Sequence, residues 1–432
     1  MRASDPDILG CTDFAGMGSM GSAAAMSAES PAAVNGTTAV NGTSSPTHQN
    51  PTASTAHHDA SLTNGDHAFS SSPKPIILHL GAPIQHHPDI YADLHDQFHL
   101  IRPDPADLER HTFIKHLKDG TWGNFSAIMK PRWSTGGEMH PWDKPLIDLL
   151  PSNMKVMAAA GAGFDWVDTK ALAERGILYC NGLGASTESV ANTALYHLIS
   201  VFTHATASSL AARSPSPSAF QKAHITIPLI SHNPSNHTLA IVGLGNIGHL
   251  IAQRARALGM TILYHDIARK PLSLEREVSA TYYPTLTSML PHADCLILAT
   301  PAGDPIVTAH TIALLPRGAR IINIARGNLV DEAALADALD SGHISAAGLD
   351  VHAREPVVYE RFQRMRQVQL TCHTGGASVE TNAGFEALAM GNVRRVLEGG
   401  QALTAVNKGE VEEWRERGGF AQGGGGGDGE GG

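Results

Sequence analysis

The chain has 432 residues, 42% hydrophobic and 17% charged, and a formal net charge of −10. That length supports two domains and a substantial core, while the acidic balance gives non-specific nucleic-acid binding no electrostatic support. No run of about 18 apolar residues is present, so no membrane span is expected.

The N-terminus carries Arg2 followed by Asp5 and Asp7, a poor match to a mitochondrial presequence, and lacks the apolar core of a signal peptide. The four cysteines (Cys11, Cys180, Cys295, Cys372) are widely spaced with no C-x-x-C pair. They suggest neither a disulfide framework nor a zinc site, and a reducing, cytoplasmic setting fits. The 24 histidines are scattered, with no H-x-x-x-H face beside paired acids. No metal site is expected.

Residues 1–74 are rich in Ala, Ser, Thr, Asn, His and Gly. Such a segment cannot bury enough apolar area to offset its ordering, and it reads as a disordered tail. Order begins with a buried strand over Pro75–Leu80. A helix over Asp89–Phe98, a strand over His99–Ile101 and a helix over Pro105–Leu117 come next. Strands at Phe125–Met129, Lys155–Ala159 and Leu178–Cys180 then alternate with helices at Lys144–Leu150 and Val167–Arg175. This alternation predicts a parallel sheet covered by helices on both faces. Residues 75–185 form the first part of one domain.

Ser186–Ala205 reads as a long linking helix, with Val190, Ala194, Leu198 and Phe202 at helical spacing. Pro215, Pro217, Pro228 and Pro234 are expected to break the chain after it. The second domain spans residues 186–372 and centres on Thr238–Asp266. A strand over Thr238–Val242 runs into Gly243-Leu244-Gly245-Asn246-Ile247-Gly248, then a helix, then a strand over Thr261–Tyr264 that ends at Asp266. Asp266 lies 18 residues beyond Gly248. A lone G-x-G-x-x-G is weak evidence, but strand, glycine turn, helix, strand and acid together make a dinucleotide-binding fingerprint. Gly243 allows the tight turn, Gly245 the approach of a pyrophosphate, and Gly248 the packing of helix on strand. The helix N-terminus, with Asn246 and Ile247, offers N–H groups to the phosphates. Asp266 suits the adenosine ribose hydroxyls and favours NAD. Arg269 and Lys270 close behind it leave NADP open.

The α/β rhythm continues beyond Asp266. Strands over Cys295–Ala299, Ala319–Ile324 and Ala346–Leu349 end at Thr300-Pro301, Ala325-Arg326 and Asp350. Gln369–Thr371 leads to His373, with Glu355-Pro356 in the loop between. Parallel sheets bind ligands beyond the carboxyl ends of their strands, so one edge receives an arginine, a glutamate and a histidine. Taken singly, each has an ordinary reading as an ion-pair arginine, a loop glutamate and a capping histidine. Together they suit reduction of a 2-oxo acid. Histidine supplies a proton at neutral pH, a carboxylate beside it favours the imidazolium, and a guanidinium grips a carboxylate with two parallel hydrogen bonds. Residues 373–407 contain a helix over Ser378–Leu397 that returns to the first domain, and residues 408–432 read as a Gly-rich tail.

The segments INIARGNLVDEAALADALDSGHISAAGLDVHAREP, AGAGFDWVDTKALAERGI, GLGNIG and CHTGGAS resemble the D-isomer-specific 2-hydroxyacid dehydrogenase family over residues 76–407. AAAGAGFDWVD and SHNP at 231–234 further resemble its fungal D-mandelate dehydrogenase branch. The resemblance implies two doubly wound parallel-sheet α/β domains, a Rossmann nucleotide domain and a flavodoxin-like substrate domain, with disordered termini. It gives Arg326 the role of substrate arginine and makes Glu355 and His373 the acid/base pair. It also implies that Ala162 and Gly163 hold the substrate carboxylate by backbone N–H groups. Gly243, Gly245, Asn246, Ile247, Gly248, Asp266, Thr300, Pro301, Ala325 and Asp350 would line the cofactor, with Asp350 near the nicotinamide amide.

The activity that the resemblance implies is reversible reduction of a glyoxylate-, hydroxypyruvate- or phenylglyoxylate-type acid by a cytoplasmic homodimer. The alternative is an NAD(H)-binding, corepressor-like scaffold of the same fold. Cys372 stands where the family usually has proline. Lys130, Trp133 and Phe164 belong to loops expected near the substrate side chain.

Overall fold

The computed structural model describes residues 73–132 and 141–419. The disorder expected of residues 1–74 and of the extreme C-terminus therefore falls almost wholly outside the described residues, as does Trp133.

Two parallel sheets organise the chain. The first contains β1 (Ile76–His79), β2 (His99–Ile101), β3 (Ala127–Lys130), β4 (Val156–Ala159) and β5 (Leu178–Cys180) in the order β2-β1-β3-β4-β5, the flavodoxin-like order. The second contains β6 (Thr238–Val242), β7 (Thr261–His265), β8 (Ala280–Tyr282), β9 (Cys295–Leu298), β10 (Ala319–Asn323), β11 (Ile344–Leu349) and β12 (Val368–Leu370). Its order is β12-β11-β10-β9-β6-β7-β8. This is the doubly wound Rossmann arrangement with one further strand, and β6 sits where the winding reverses.

Burial explains why the strands read as apolar runs. β3, β4, β9 and β10 are buried along their whole length, as a sheet covered on both faces requires. Register then aligns the strand ends. Val242 pairs with His265 and with Leu298, Leu298 with Asn323, Asn323 with Leu349, and Leu349 with Leu370. The residues after these positions leave one edge of the sheet at nearly one level.

Several elements differ from the sequence expectation. The run Pro105–Leu117 is two pieces, a 3₁₀ turn at Pro105–Leu108 and a helix at Arg110–Asp119, because Glu109 is extended. The break turns Phe113 inward against Trp122 and Trp142. The prolines after the linking helix do not leave the chain irregular. Helices form at Ala205–Ala212 and Pro217–Thr226, with Pro217 in the first turn, where no N–H is needed. The linking helix itself, Thr187–Thr203, ends at His204 in the left-handed region (φ +50°).

Residues 408–416 are a helix rather than the start of a Gly-rich tail. Val411 is buried, and the Trp414 ring lies where a Cβ on Gly176 would approach it to 2.4 Å. Just before this helix, buried Asn407 accepts the Tyr179 N–H at 2.8 Å and donates to the carbonyls of Thr169 and Ile177. The approach to this helix is thereby stitched to the first sheet.

Helix Val379–Leu397 packs on β3 and β4 and carries a fully buried carboxylate, Glu386. That carboxylate accepts the N–H groups of Gln85, His86 and His87 at 2.9, 2.8 and 3.2 Å, with Arg132 Nε 3.9 Å away. Removing it strands three amides. Glu386→Ala is expected to lose roughly 3 kcal/mol of stability or more, read as a lower urea midpoint. Among the described residues, no helix is long and apolar enough to cross a membrane.

Candidate functional site

The glycine turn comes directly after β6. Gly243 has φ +94°, and a Cβ there would sit 2.6 Å from the Ala299 carbonyl oxygen. A Cβ on Gly248 would lie 2.0 Å from the Gly243 carbonyl oxygen, so helix Asn246–Ala257 can reach the strand only with glycine at this position. At Gly245 a Cβ would meet nothing within 4 Å. The space over the helix N-terminus is open, and the first N–H groups of the helix, from Asn246 and Ile247 onward, have no intrahelical partner. This is a cradle that fits a pyrophosphate.

Asp266 folds back to the turn, where Oδ2 accepts the Leu244 N–H at 2.9 Å and pairs with Lys270 Nζ at 3.0 Å. Thr300 and Pro301 come after β9, and the Thr300 nitrogen lies 3.2 Å from the Cβ position of Gly243. Gly248→Ala is expected to cost roughly 1–3 kcal/mol of stability, the usual range for overpacking, and to weaken NADH binding, measurable by calorimetric titration.

Arg326 is presented by a turn that Asn323 builds. The Asn323 amide donates to the Arg326 carbonyl at 2.7 Å and accepts the Ala325 N–H at 3.0 Å. Gly327 permits close passage of the 350s loop, since a Cβ there would fall 1.9 Å from the His352 carbonyl carbon. The guanidinium reaches the loop after β4. Its Nε and Nη2 both lie 3.0 Å from Asp165 Oδ1, and Nη1 donates to the Ala325 carbonyl at 2.8 Å. Gly163 faces it so closely that a Cβ would come within 1.4 Å of Nη2. Its neighbour Ala162 is held by its carbonyl, which accepts from Asn181 Nδ2 at 2.7 Å. Arg326, Ala162 and Gly163 are thus brought together from the two sheets.

His373 and Glu355 meet directly, with Nδ1 to Oε2 at 2.8 Å. The other Glu355 oxygen accepts the His352 N–H at 2.9 Å. Burial alone would raise the Glu355 carboxyl, but the hydrogen bonds from His373 and the His352 N–H outweigh it and hold the group below its ordinary value. The same contact raises the His373 imidazole above its ordinary value, against burial and the positive charge of Arg326. His373 has φ +53°, an uncommon conformation for a non-glycine residue that persists only where its surroundings fix it. Asp350 fixes it. The Asp350 carbonyl accepts the His373 N–H at 2.7 Å, and its carboxylate accepts from Thr371 Oγ1, Thr374 N and Gly375 N at 2.6, 3.0 and 2.9 Å. The carboxylate expected beside the nicotinamide is therefore also the anchor of the histidine loop.

Three participants go beyond the residues singled out from the sequence, and only one of them carries a sequence signal. Asp165 gives no local sign of its partner. Thr371 joins Asp350 to buried His197. Asn323 is the one with a signal, a polar residue inside the apolar run Ile321-Ile322-Asn323-Ile324. Lys130, expected in a loop near the substrate side chain, is instead a strand residue. It ends β3, is buried, and its ammonium lies 5.4 Å from the Trp166 ring centroid. Phe164 stacks obliquely on Tyr179 at 6.2 Å.

Comparison with known proteins accords with this geometry. Residues 210–375 match the family model for the NAD binding domain of D-isomer specific 2-hydroxyacid dehydrogenases. The chain is 32% identical to 4-methyl-2-oxopentanoate reductase A of Aspergillus oryzae over 300 residues, 69% of this chain and 88% of that protein. It is 32% identical to glyoxylate reductase of Pyrococcus horikoshii over 279 residues, 64% of this chain and 82% of that one. The crystal structure of holo D-mandelate dehydrogenase from Rhodotorula graminis superposes with a TM-score of 0.76 and 38% identity, covering 78% of this chain and 99% of that one.

Proposed function

Because the chain belongs to the D-isomer specific 2-hydroxyacid dehydrogenases, we propose that it reduces a 2-oxo acid to the D-2-hydroxy acid with NADH, reversibly. The observation that carries the reading is the His373–Glu355 contact at 2.8 Å on the sheet edge that also bears Arg326 and the glycine cradle.

A bound nicotinamide would supply the hydride. The residues of the chain bind, orient and protonate. Arg326, with the backbone of Ala162 and Gly163, grips the substrate carboxylate and turns the adjacent carbonyl toward His373. Glu355 occupies His373 Nδ1, which leaves Nε2 as the atom that gives a proton to the nascent alkoxide oxygen. In the oxidative direction Nε2 takes that proton back. Ala325, Thr300, Pro301 and Asp350 would line the nicotinamide end, and Asp266 would receive the adenosine ribose.

The substrate is a small or aryl 2-oxo acid of the glyoxylate, hydroxypyruvate or phenylglyoxylate type. Support comes from the similar proteins, whose names specify glyoxylate, 4-methyl-2-oxopentanoate and D-mandelate. NADH oxidation measured with glyoxylate, hydroxypyruvate and phenylglyoxylate, using NADH and NADPH in parallel, tests the reading. Turnover of any one supports it. Tight NADH binding with no turnover of any 2-oxo acid would favour the corepressor-like scaffold instead.

We further propose a homodimer built on helices Thr187–Thr203, Ala205–Ala212 and Pro217–Thr226. These leave Tyr196, Ile199, Leu210, Phe220 and Ile225 exposed, apolar side chains of the kind that serve an interaction face. Light scattering at low micromolar concentration checks the mass. A cytoplasmic location belongs to the same proposal, supported by the free thiols of Cys180, Cys295 and Cys372.

A further inference from the structure

Two cations come soon after the ribose acid, and both are already engaged. Lys270 Nζ pairs with Asp266 Oδ2 at 3.0 Å. Arg269 is turned the other way. Its Nε and Nη2 donate to the two oxygens of Glu275 at 2.8 and 2.9 Å, a fork-to-fork pair, and its guanidinium carbon lies 5.6 Å from the Tyr282 ring centroid.

Glu275 is a built receptor for that arginine. It is only 6% exposed and sits on helix Leu272–Glu277. It accepts the hydroxyl of fully buried Tyr264 at 2.6 Å. The same hydroxyl accepts the Lys270 backbone N–H at 3.0 Å, which pins the loop carrying both cations. The hydrogen bonds from Arg269 and Tyr264 hold the Glu275 carboxyl down at about 2, so it stays charged throughout the working range.

A 2′-phosphate on the adenosine ribose would need a free guanidinium or ammonium close to Asp266. Arg269 is three residues from Asp266 and its side chain is about half-exposed, so its pairing with Glu275 is what engages it. We propose that Glu275 is a specificity-determining residue for the cofactor, which sequesters Arg269 and so deprives NADP(H) of a guanidinium able to fork its 2′-phosphate.

The inference rests on the NADH reading and adds a second device to the repulsion by Asp266. Discrimination is then held by a pair that never touches the cofactor, and a latent 2′-phosphate site lies one substitution away.

Direct binding tests it without turnover. Dissociation constants for NADH and NADPH are measured by tryptophan-fluorescence quenching on the full chain and on Glu275→Gln, Arg269→Ala and the double variant, with thermal melts alongside. Wild type is expected to bind NADH more tightly than NADPH. Arg269→Ala should leave both constants within about twofold. Glu275→Gln, close in shape and still able to meet Tyr264, should tighten NADPH about threefold to tenfold and leave NADH nearly unchanged. The double variant should lose that gain.

A folded Glu275→Gln protein with unaltered NADPH affinity overturns the proposal. So does a wild-type background in which Arg269→Ala weakens NADPH severalfold, since Arg269 would then already reach the phosphate. This second arm decides the matter if Glu275→Gln does not fold. Equal wild-type affinity for the two dinucleotides overturns the NAD preference itself, whereas preference for NADH with a silent Glu275 overturns the sequestration alone.

Discussion

His373→Ala is expected to lower turnover by about 10²–10⁴-fold, the usual worth of a positioned acid or base, while the NADH dissociation constant stays nearly unchanged. Geometry is the reason. Nδ1 is committed to Glu355 at 2.8 Å, the loop is clamped by four bonds to Asp350, and the backbone is held at φ +53°, so one ring atom is left for proton transfer in a fixed place.

The pH dependence carries a sign. Reduction needs the imidazolium. Because Glu355 raises the His373 value above 6.5, the reduction rate should hold to a higher pH than an ordinary imidazole allows and fall as pH rises through the raised value. Oxidation needs the neutral ring and should climb over the same interval. Glu355→Gln removes the charge that favours imidazolium, so both limbs should move toward lower pH.

Stability depends on the same pair. The raised histidine contributes fully below 6.5 and loses its contribution as pH rises through its folded value. The depressed glutamate contributes above 4.5 and loses its contribution as pH falls through its folded value. The pair is therefore fully stabilising between these limits. Equal turnover of wild type and His373→Ala across this range would remove His373 from the chemistry.

What the sequence makes legible depends on how local the cause is. The glycine turn is legible because each glycine answers a contact within a few residues or one strand away, as Gly248 does against Gly243. The arginine and the histidine are legible because register in a parallel sheet carries strand ends to one edge, and that register is written in the apolar runs. Asp165 is not legible, since it meets Arg326 across 161 residues of chain and no period or motif marks which acid faces which base.

The helix at 408–416 is missed for a related reason. Its sequence, KGEVEEWRE, is polar, and what holds it is tertiary: Val411 in the core and Trp414 against Gly176. Glu109 fails in the opposite way. Local propensity there runs on as helix, but the demand to bury Phe113 breaks the run. Glu275 combines both difficulties. It reads as one more charged residue on a short surface helix until the fold places it beneath Arg269 and Tyr264.

Arg326→Ala is expected to lower kcat/KM by about 10²–10⁴, because two charge-assisted hydrogen bonds of roughly 1.5–3 kcal/mol each are lost together. Most of the loss should appear as a higher KM for the 2-oxo acid, with a slower kcat because the carbonyl is no longer turned toward His373. The count of donors explains why lysine cannot substitute. A guanidinium has five N–H groups. Nε and Nη2 serve Asp165, and Nη1 serves the Ala325 carbonyl. Two remain, the number that a bidentate carboxylate takes. Lysine has three donors at one point and no fixed fork, so Arg326→Lys should recover little of the loss.

Asp165 acts through Arg326. Asp165→Ala frees the guanidinium to turn and should raise KM by about tenfold, the worth of one oriented charge-assisted bond. That is a smaller effect than removing the cation, with kcat less affected than KM and NADH affinity unchanged. Asp165→Asn keeps an acceptor for Nε and should fall between the two. A KM for glyoxylate or phenylglyoxylate that is the same in Arg326→Ala as in wild type would show that the carboxylate is held elsewhere, and the backbone N–H groups at Ala162 and Gly163 would then have to hold it alone.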